Sequence, residues 1–223
     1  MKHKVKILMK EFVTHDVFRF IVEKPKRYVF TPGQATEISI NKPGWEDKKR
    51  PFTFTSLKDD LVLEFIIKIY PEHKGVTEQI GRLKPNDELI IEEPWGNINY
   101  KEEGVFIAGG AGITPFIAIL RNLKEKNMIE NNALIFSNKT SKDVILEKEF
   151  REMFKDNPKN LILTLTREKK DGYLNQRVDK NFLRKIIKYC PKNFYICGPK
   201  KFVEDVKNAA VNLNCKMQSI IIE

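Results

Sequence analysis

Apolar and polar positions alternate in short runs over the first hundred residues of the chain. Alternation with a period of two predicts strands with one buried face, and clusters of Gly, Pro, Asn and Asp between the runs predict turns. The runs are VKILMKEFV, VFRFIVEK, ATEISI, PFTFTS, LVLEFIIKIY and ELIIEE. Six short strands with tight turns, interrupted by one helix at GVTEQIGRL, predict a small antiparallel β-barrel.

The pattern changes at Gly104, where continuous apolar runs begin to alternate with segments of helical periodicity. The apolar runs are GVFIAG, ALIFSN, NLILTLT, FYICG and the terminal QSIIIE. The helical segments are PFIAILRNLKEK, EKEFREMF, DKNFLRKIIKY and KKFVEDVKNAAVNL. Buried strands that alternate with amphipathic helices predict a parallel sheet covered on both faces. We therefore expect two domains, an antiparallel β-barrel over 1–101 and an α/β nucleotide-binding domain over 102–223.

Composition narrows the choice of partners. The formal charge of +10 favours an anionic partner, although a Lys-rich solvated surface accounts for it equally well. No basic stretch is interleaved with aromatics in the manner of a nucleic-acid module, so we expect no nucleic-acid partner. No apolar run approaches the roughly 20 residues of a membrane span, and no signal-peptide core is present, so we expect a cytoplasmic protein.

Cysteine and histidine usage argues against a metal site. The three cysteines form no CxxC pair, which argues against zinc, an iron–sulfur cluster or a disulfide framework. The three histidines share no ligand-like spacing. We therefore expect no metal.

The segment FIAGGAGITPFIAIL places a glycine-rich turn between the first parallel strand and its helix. Gly109, Gly110 and Gly112 lie in the turn, and Pro115 suits the first turn of the helix. Backbone N–H groups at such a helix start suit a pyrophosphate. Glycines that serve packing alone explain the same turn, and the pattern by itself does not decide between the two.

Two further strand ends carry chemistry at the edge where open parallel sheets bind ligands. Cys197, Gly198 and Pro199 follow the fourth parallel strand and leave room for a flat ring. The alternative is a buried cysteine that packs as a small apolar side chain. Thr166 and Arg167 follow the third strand and suit a phosphate monoester, whereas a solvated loop is the alternative.

The barrel half contributes RPFTFTS and KGVTEQI. Strand alternation places Arg50 and Phe52 on one face and Thr53 on the other. Gly75 and Thr77 at a helix start predict a second anion site. A barrel that binds a ring and a diphosphate, joined to a nucleotide domain, suggests two cofactors that meet.

At RPFT, KGVT, GGAGITP and CGP the chain resembles the ferredoxin–NADP⁺ reductase superfamily, in particular its short flavodoxin reductase-like members. The motifs occur in the family's order over nearly the whole chain, and KGVT has one residue fewer than the family's Gly-x-x-Ser/Thr region. The resemblance implies FAD in the barrel and a nicotinamide nucleotide in the second domain.

The resemblance also implies a role for individual residues in the barrel. Arg50 pairs with the flavin diphosphate, Phe52 packs on the isoalloxazine ring, and Thr53 hydrogen-bonds near its reactive nitrogen. The segment Gly75–Thr77 donates to the diphosphate.

In the second domain, the resemblance places Thr114 between flavin and nicotinamide, and Cys197 beside the nicotinamide carbon that gives up hydride. Thr53 and Cys197 are therefore the expected catalytic residues. The full set of expected cofactor-binding residues is Arg50, Pro51, Phe52, Thr53, Ile67, Lys68, Ile69, Gly75, Val76, Thr77, Gly110, Gly112, Thr114, Pro115, Thr166, Arg167, Cys197, Gly198 and Pro199.

Three departures from the family pattern bear on function. Phe52 replaces the usual tyrosine, which removes a hydroxyl but keeps the stacking surface. The chain ends in SIIIE, whereas many members end in an aromatic residue that shields the flavin. The cysteine count does not support a fused ferredoxin domain, so electrons are expected to leave to a separate acceptor.

These features predict an NAD(P)H-dependent FAD oxidoreductase that passes electrons to an acidic carrier protein, flavodoxin or ferredoxin. The alternatives are a free-flavin or ferric-chelate reductase and an electron-transfer subunit of a larger complex. NADPH is expected over NADH, because the second strand ends in IFSNKT without a carboxylate for the ribose. A 2′-phosphate is suited by Thr166, Arg167 and the two lysines that follow, whereas the nearby carboxylate of Glu168 would repel it.

Overall fold

The computed structural model describes residues 1–96, 98–187, 191–213 and 219–222. Cys190, Cys215, the end of the predicted helix DKNFLRKIIKY and the two outer residues of QSIIIE lie outside the described residues. Contacts divide the chain into two compact units. The N-terminal unit comprises Met1–Asn99 with Thr114–Ile119, and the C-terminal unit comprises Tyr100–Ile113 with Leu120–Glu223.

The N-terminal unit is built on the predicted antiparallel strands. They are β1 (His3–Thr14), β2 (Val17–Glu23), β3 (Ala35–Ile40), β4 (Arg50–Thr53), β5 (Val62–Lys68) and β6 (Glu88–Ile91), with helix α1 (Val76–Arg82) between β5 and β6. They form one six-stranded sheet in the order β4-β3-β6-β1-β2-β5. The sequence-based prediction of the strands and of the single helix is confirmed.

Hydrogen bonds between the residues after β4 and strand β5 draw the two edges of this sheet together. The backbone N–H of Thr55 donates to the carbonyl of Glu64 (2.9 Å), and the Thr55 hydroxyl donates to the Glu64 carboxylate (2.8 Å). The Glu64 N–H donates to the Ser56 hydroxyl (3.0 Å). Pairing of the outer strands in this way is how a small sheet closes into a barrel and covers its edges.

Aromatic side chains fill the interior of the barrel. Phe20, Phe54 and Phe65 are fully buried, and Phe54 stacks on Phe30 with ring centroids 4.2 Å apart. Each strand sends alternate side chains inward, so the period of two in the sequence is the period of burial. Burial of each such ring stabilises the fold by about 1.5–3 kcal/mol relative to exposure.

The C-terminal unit alternates strands with helices. Its elements are β7 (Gly104–Gly109), the second half of α2 (Thr114–Glu125, of which Thr114–Ile119 are counted with the N-terminal unit), β8 (Ala133–Asn138), α3 (Glu147–Met153), β9 (Leu161–Leu165), α4 (Lys180–Ile186), β10 (Asn193–Cys197), α5 (Lys200–Val211) and β11 (Ser219–Ile222). The strands are parallel in the order β11-β10-β7-β8-β9. The predicted α/β architecture is confirmed.

Helices cover both faces of this sheet. On one face, Ile107 and Ile135 pack with Phe182 of α4 and Val206 of α5. On the other face, Phe136 meets Phe150 of α3 edge to face, with ring centroids 6.1 Å apart. Within the described part of the chain, no helix combines the length and the hydrophobicity needed to cross a bilayer.

Candidate cofactor-binding sites

Strand β4 presents the RPFT motif on the barrel. It pairs with β3, so that Phe52 lies opposite Thr36 and Thr53 lies opposite Ala35. Arg50 is exposed, Phe52 is half-buried against the barrel core, and Thr53 is buried. Exposure falls steadily along β4 and does not alternate, so that Arg50 is presented to solvent and Thr53 to the interior.

A cavity of about 350 Å³ brings the RPFT and KGVT motifs together. Its lining includes Arg50, Lys74, Gly75 and Val76. Gly75 is the N-cap residue of α1, so the backbone N–H groups of the first helical turn begin at this cavity. Two motifs that are 25 positions apart in the sequence thus face one space, which no local pattern specifies.

The charges around this cavity are mostly positive, and Asp47 is the one carboxylate among the described residues that line it. The Arg50 Nη1 atom donates to the carbonyl of Lys49 (2.7 Å), and no carboxylate of the described residues lies within 4.0 Å of its guanidinium. Lys74 also lacks an ion pair among these residues. Lys49, in contrast, pairs with Glu92 (2.6 Å), and that hydrogen bond raises the pKa of the Lys49 ammonium. Two unneutralised cations beside a helix start fit the diphosphate of FAD.

Several expected cofactor-binding residues of the barrel are not among the residues that line this cavity. The side chains of Ile67 and Ile69 pack in the barrel core, so only their backbone is available to a cofactor. The Lys68 ammonium is held by Asp16 (2.7 Å). Pro51 is exposed next to Arg50, and Thr77 is half-buried in the first turn of α1.

In the C-terminal unit, the order in which successive strands are added to the sheet reverses at the boundary between β7 and β10. Strands β8 and β9 extend the sheet on one side of β7, while β10 and β11 extend it on the other. The crevice at such a reversal is where open parallel sheets bind nucleotides. Gly109 ends β7 and Cys197 ends β10, so the two glycine-containing motifs meet at this crevice.

The glycine turn differs in one respect from the expectation. Gly110–Ile113 form a 3₁₀ turn that runs directly into α2, so the helical backbone begins about one turn before Thr114. Pro115 lies in the first turn of α2, as expected. The N–H groups that lead the helix therefore belong to the glycine turn itself.

Contacts within the chain explain the glycines. A β-carbon on Gly112 would lie 2.5 Å from the Gly198 Cα and from the Cys197 carbonyl oxygen. A β-carbon on Gly109 would lie 2.9 Å from the Phe202 ring. Gly110 adopts a left-handed φ of +54°, which disfavours other residues. Close packing, the alternative that the sequence left open, accounts for Gly109 and Gly112, and it assembles the crevice at the same time.

Cys197 and its neighbours lie where the sequence places them. Cys197 is buried and pairs in register with Ala108 of β7. Pro199 is the exposed N-cap residue of α5. Gly198 connects the two and tolerates no β-carbon, since one would lie 2.7 Å from the Phe202 ring.

Thr166 and Arg167 extend the pairing of β8 with β9 beyond the strand ends. Their backbone N–H groups donate to the carbonyls of Asn138 and Lys139, both at 2.9 Å. Both side chains are exposed, and no carboxylate of the described residues lies within 4.0 Å of the Arg167 guanidinium. An unpaired planar cation beside a hydroxyl fits a phosphate monoester.

Glu168, the carboxylate next to Arg167, is engaged by a residue that the sequence did not single out. It accepts hydrogen bonds from the Ser141 N–H (2.6 Å) and hydroxyl (3.2 Å), and Lys170 donates to the same hydroxyl (3.0 Å). The Ser141 N–H holds the pKa of the Glu168 carboxyl below its usual value. The capping box of Thr140 and Asp143 around Ser141 was a readable signal for this turn.

Asn138 carries an unsatisfied amide at the end of β8. Its side chain is 5% exposed, and neither amide atom has a hydrogen-bond partner among the described residues. Buried polar groups are almost always paired, so an orphaned amide at the ligand-binding edge of the sheet fits a site for a polar nucleotide. Among the described residues, no group of His, Cys, Asp or Glu side chains is arranged to hold a metal ion.

Comparisons with known proteins identify the kind of domain in each half of the chain. The Oxidoreductase FAD-binding domain family matches residues 4–100, and the Oxidoreductase NAD-binding domain family matches residues 106–208. The NADH-cytochrome b5 reductase 2-A of Vanderwaltozyma polyspora is 32% identical over 210 residues, which cover 86% of this chain and 70% of that protein. The mouse (Mus musculus) NADH-cytochrome b5 reductase 2 is 25% identical over 240 residues, 91% of this chain and 87% of that protein.

A solved structure shows the same fold. The ferredoxin NADP⁺ reductase of Neisseria gonorrhoeae, crystallised with FAD and NADP, superposes with a TM-score of 0.81 at 19% identity and covers 100% of this chain and 98% of its own. Motifs, fold and relatives thus agree over both units. The chain belongs to the ferredoxin–NADP⁺ reductase family of oxidoreductases, whose cofactors are FAD and a nicotinamide dinucleotide.

Proposed function

We propose that this protein takes electrons from NADPH or NADH and passes them, through FAD, to a one-electron carrier protein of the cytochrome b5 kind. The observation that carries the proposal is the cavity at which Arg50 and Lys74 remain unneutralised beside the N-cap Gly75. It supports a diphosphate site in the barrel of a chain that has cytochrome b5 reductases among its relatives.

FAD, when bound, supplies the exchange between a two-electron hydride donor and one-electron acceptors. The protein's contribution is to bind and orient. Arg50 and the first N–H groups of α1 hold the diphosphate, and Phe52 offers an apolar ring to the flavin. Thr53 is the expected hydroxyl beside the flavin.

In the C-terminal unit, the turn Gly110–Ile113 presents N–H groups to a pyrophosphate at the start of α2. Cys197 ends β10 at the crevice where the nicotinamide is expected, and Thr114 is the first residue of α2. Cys197 acts by position, because a small buried side chain leaves room for a flat ring at hydride-transfer distance.

The choice of acceptor follows the relatives. Flavodoxin and ferredoxin were the acceptors expected from the sequence, but the relatives reported above are named for cytochrome b5. The charge of +10 suits an acidic carrier of any of these kinds, because it steers encounter rather than sets affinity. A cytochrome b5-type carrier is therefore the first candidate.

The proposed donor preference is NADPH, although these relatives are named for NADH. The argument is the state of the Glu168 carboxylate, which accepts hydrogen bonds from the Ser141 N–H and hydroxyl and not from Arg167. Arg167 is thus left to a 2′-phosphate. Thr166 adds a hydroxyl at the same strand end.

Steady-state reduction of several acceptors by the FAD-loaded protein tests the proposal. We expect cytochrome b5 to be reduced with a kcat/KM at least about tenfold above free FMN or ferric citrate, with a rate that falls as salt rises. Ferredoxin and flavodoxin are run in parallel. Equal or faster reduction of the small acceptors would instead identify a flavin or ferric-chelate reductase, and no turnover with any soluble acceptor would favour a subunit of a larger complex.

A further inference from the structure

The cavity of the barrel is also lined by residues that the motifs do not explain. Besides Arg50 and Gly75, its lining includes Trp45, Asp47 and Lys48. These residues lie in the segment NKPGWEDKK, which joins β3 to β4 and which matches none of the motifs. A half-buried tryptophan beside a diphosphate site calls for an explanation. Its large ring contributes most to stability or binding when another group covers it.

The chain holds the Trp45 ring in a defined place. The Trp45 N–H donates to the carbonyl of Lys42 (3.0 Å), and the Lys48 N–H donates to the carbonyl of Trp45 (3.2 Å), so two turns fix its backbone. Asp87 pairs with the Lys42 ammonium (2.8 Å) and anchors the start of the segment to the barrel. The ring itself is half-buried against the barrel core.

One face of the Trp45 ring is in contact with a charged side chain. The Lys48 ammonium lies 4.1 Å from the ring centroid, a cation–π contact made from an exposed side chain on a flexible stem. Such a contact at the surface is weak and is readily exchanged for a better ring partner. Lys48 is two residues from Arg50, so its ammonium would add to the positive charge beside a diphosphate after the exchange.

We propose that the Trp45 indole is the stacking platform for the adenine ring of FAD. The inference rests on the proposed binding of FAD at this cavity. A diphosphate at Arg50 and Gly75 separates the two ends of FAD. Phe52 follows Arg50 along β4, is not among the residues that line the cavity, and is the aromatic residue expected for the flavin, whereas Trp45 precedes Arg50 in the chain and lines the cavity. Aromatic stacking suits the adenine, because every base offers a π face.

The affinities of the apoprotein for FAD and for FMN separate this role from a structural one, because FMN lacks the adenosine. We expect Trp45→Leu to lower the ratio of FAD affinity to FMN affinity about tenfold, as loss of one stacked base does. FMN affinity itself should stay unchanged, and Trp45→Phe should keep most of the ratio. Equal loss of FAD and FMN affinity in Trp45→Leu, or an unchanged ratio, would overturn the proposal.

A second measurement leaves Trp45 intact. The chain has two tryptophans, and Trp95 is bound to Ala35 by its backbone while its side chain is exposed, so Trp95→Phe leaves Trp45 as the only tryptophan, whose emission is read with excitation beyond the tyrosine band. We expect ADP to quench this emission and inorganic pyrophosphate to leave it unchanged. Quenching by both probes, or by neither, would contradict adenine stacking. Wild-type protein that binds neither flavin would instead refute the proposed function itself.

Discussion

Gly112 and Gly198 lie in direct backbone contact, such that a β-carbon on Gly112 would stand 2.5 Å from the Gly198 Cα. The contact joins the turn after β7 to the end of β10, which are the two walls of the nucleotide crevice. Their separation is therefore set by backbone against backbone, which leaves no room for adjustment by side-chain rotation. The width of the crevice is a property of these two glycines.

The first prediction is that Gly112→Ala widens the crevice. One wall must move to admit the methyl group, so we expect a loss of about 1–3 kcal/mol in the free energy of unfolding, together with weaker NADPH binding. Gly44→Ala is the control, because Gly44 has a φ of +81° and no atom near an added β-carbon. Gly44→Ala should lower the free energy of unfolding only through its unfavourable backbone conformation, and it should leave NADPH affinity unchanged. Denaturant unfolding and calorimetric titration measure both quantities, and unchanged NADPH affinity in Gly112→Ala would refute the prediction.

The second prediction concerns the diphosphate site of the barrel. Arg50→Ala removes a charge-assisted hydrogen bond, so FAD affinity of the apoprotein should fall about tenfold or more. Lys49→Ala, next in the chain, should change FAD affinity little, because its ammonium is already paired with Glu92. Titration of apoprotein with FAD checks both variants. Equal effects at the two positions would mean that only overall charge matters.

The third prediction follows from the orphaned amide of Asn138. Asn138→Leu replaces it with an apolar side chain of similar size, so the free energy of unfolding should rise by about 1 kcal/mol or more. NADPH affinity should fall, because the amide is assigned to the nucleotide. Thermal unfolding without nucleotide and NADPH titration give the two values. A variant that is destabilised, or that binds NADPH as tightly as wild type, would remove Asn138 from the site.

The fourth prediction concerns donor selectivity. Arg167→Ala should weaken NADPH about tenfold and NADH much less, since Arg167 is proposed to meet only the 2′-phosphate. Glu168→Gln should act in the opposite direction, because it removes the nearby negative charge. Dissociation constants of 2′,5′-ADP and 5′-AMP measure the effect without turnover. If Arg167→Ala weakens both nucleotides equally, Arg167 serves the fold or the shared part of the ligand.

The fifth prediction is a pH dependence of stability at the Asp16–Lys68 pair. Partial burial raises the pKa of Asp16, but the hydrogen bond and charge of Lys68, with smaller contributions from Thr14 and His15, outweigh it and leave the pKa below the ordinary 3.8. A carboxylate with a lowered folded-state pKa stabilises the protein above 3.8 and loses that contribution as the pH falls through the folded value. The effect should be about 1 kcal/mol or less, as for other partly exposed pairs.

Melting temperatures of wild type and Asp16→Asn, measured from neutral pH down to below the folded-state pKa, check this pH dependence. The difference should be largest at neutral pH and disappear in acid. Lys68→Met, which removes the partner, should reduce the pH dependence in the same direction. A constant difference at all pH values would show that Asp16 acts through hydrogen bonding alone.

Much of the local structure is contained in the sequence. ATEISI and GVFIAG coincide with β3 and β7 residue for residue, and KGVT places the N-cap Gly75 at the start of α1. Strand and helix formation depends on side-chain periodicity and on turn residues that are close together in the chain, so a short window suffices to predict it. The motifs are also local in the sequence, so they indicate the family without knowledge of the fold.

Contacts between distant segments were decided only by the tertiary structure. Nothing near Lys68 indicates that Asp16 holds its ammonium, and nothing near Glu168 indicates that Ser141 binds its carboxylate. Trp45 and Lys74 line the cavity only because the barrel brings their segments beside Arg50. Pairing, burial and ion partners depend on residues far apart in the chain, whose meeting is an outcome of packing the whole unit. Periodicity therefore determines which elements form and motifs determine what they bind, while packing alone decides which charges remain available to a ligand.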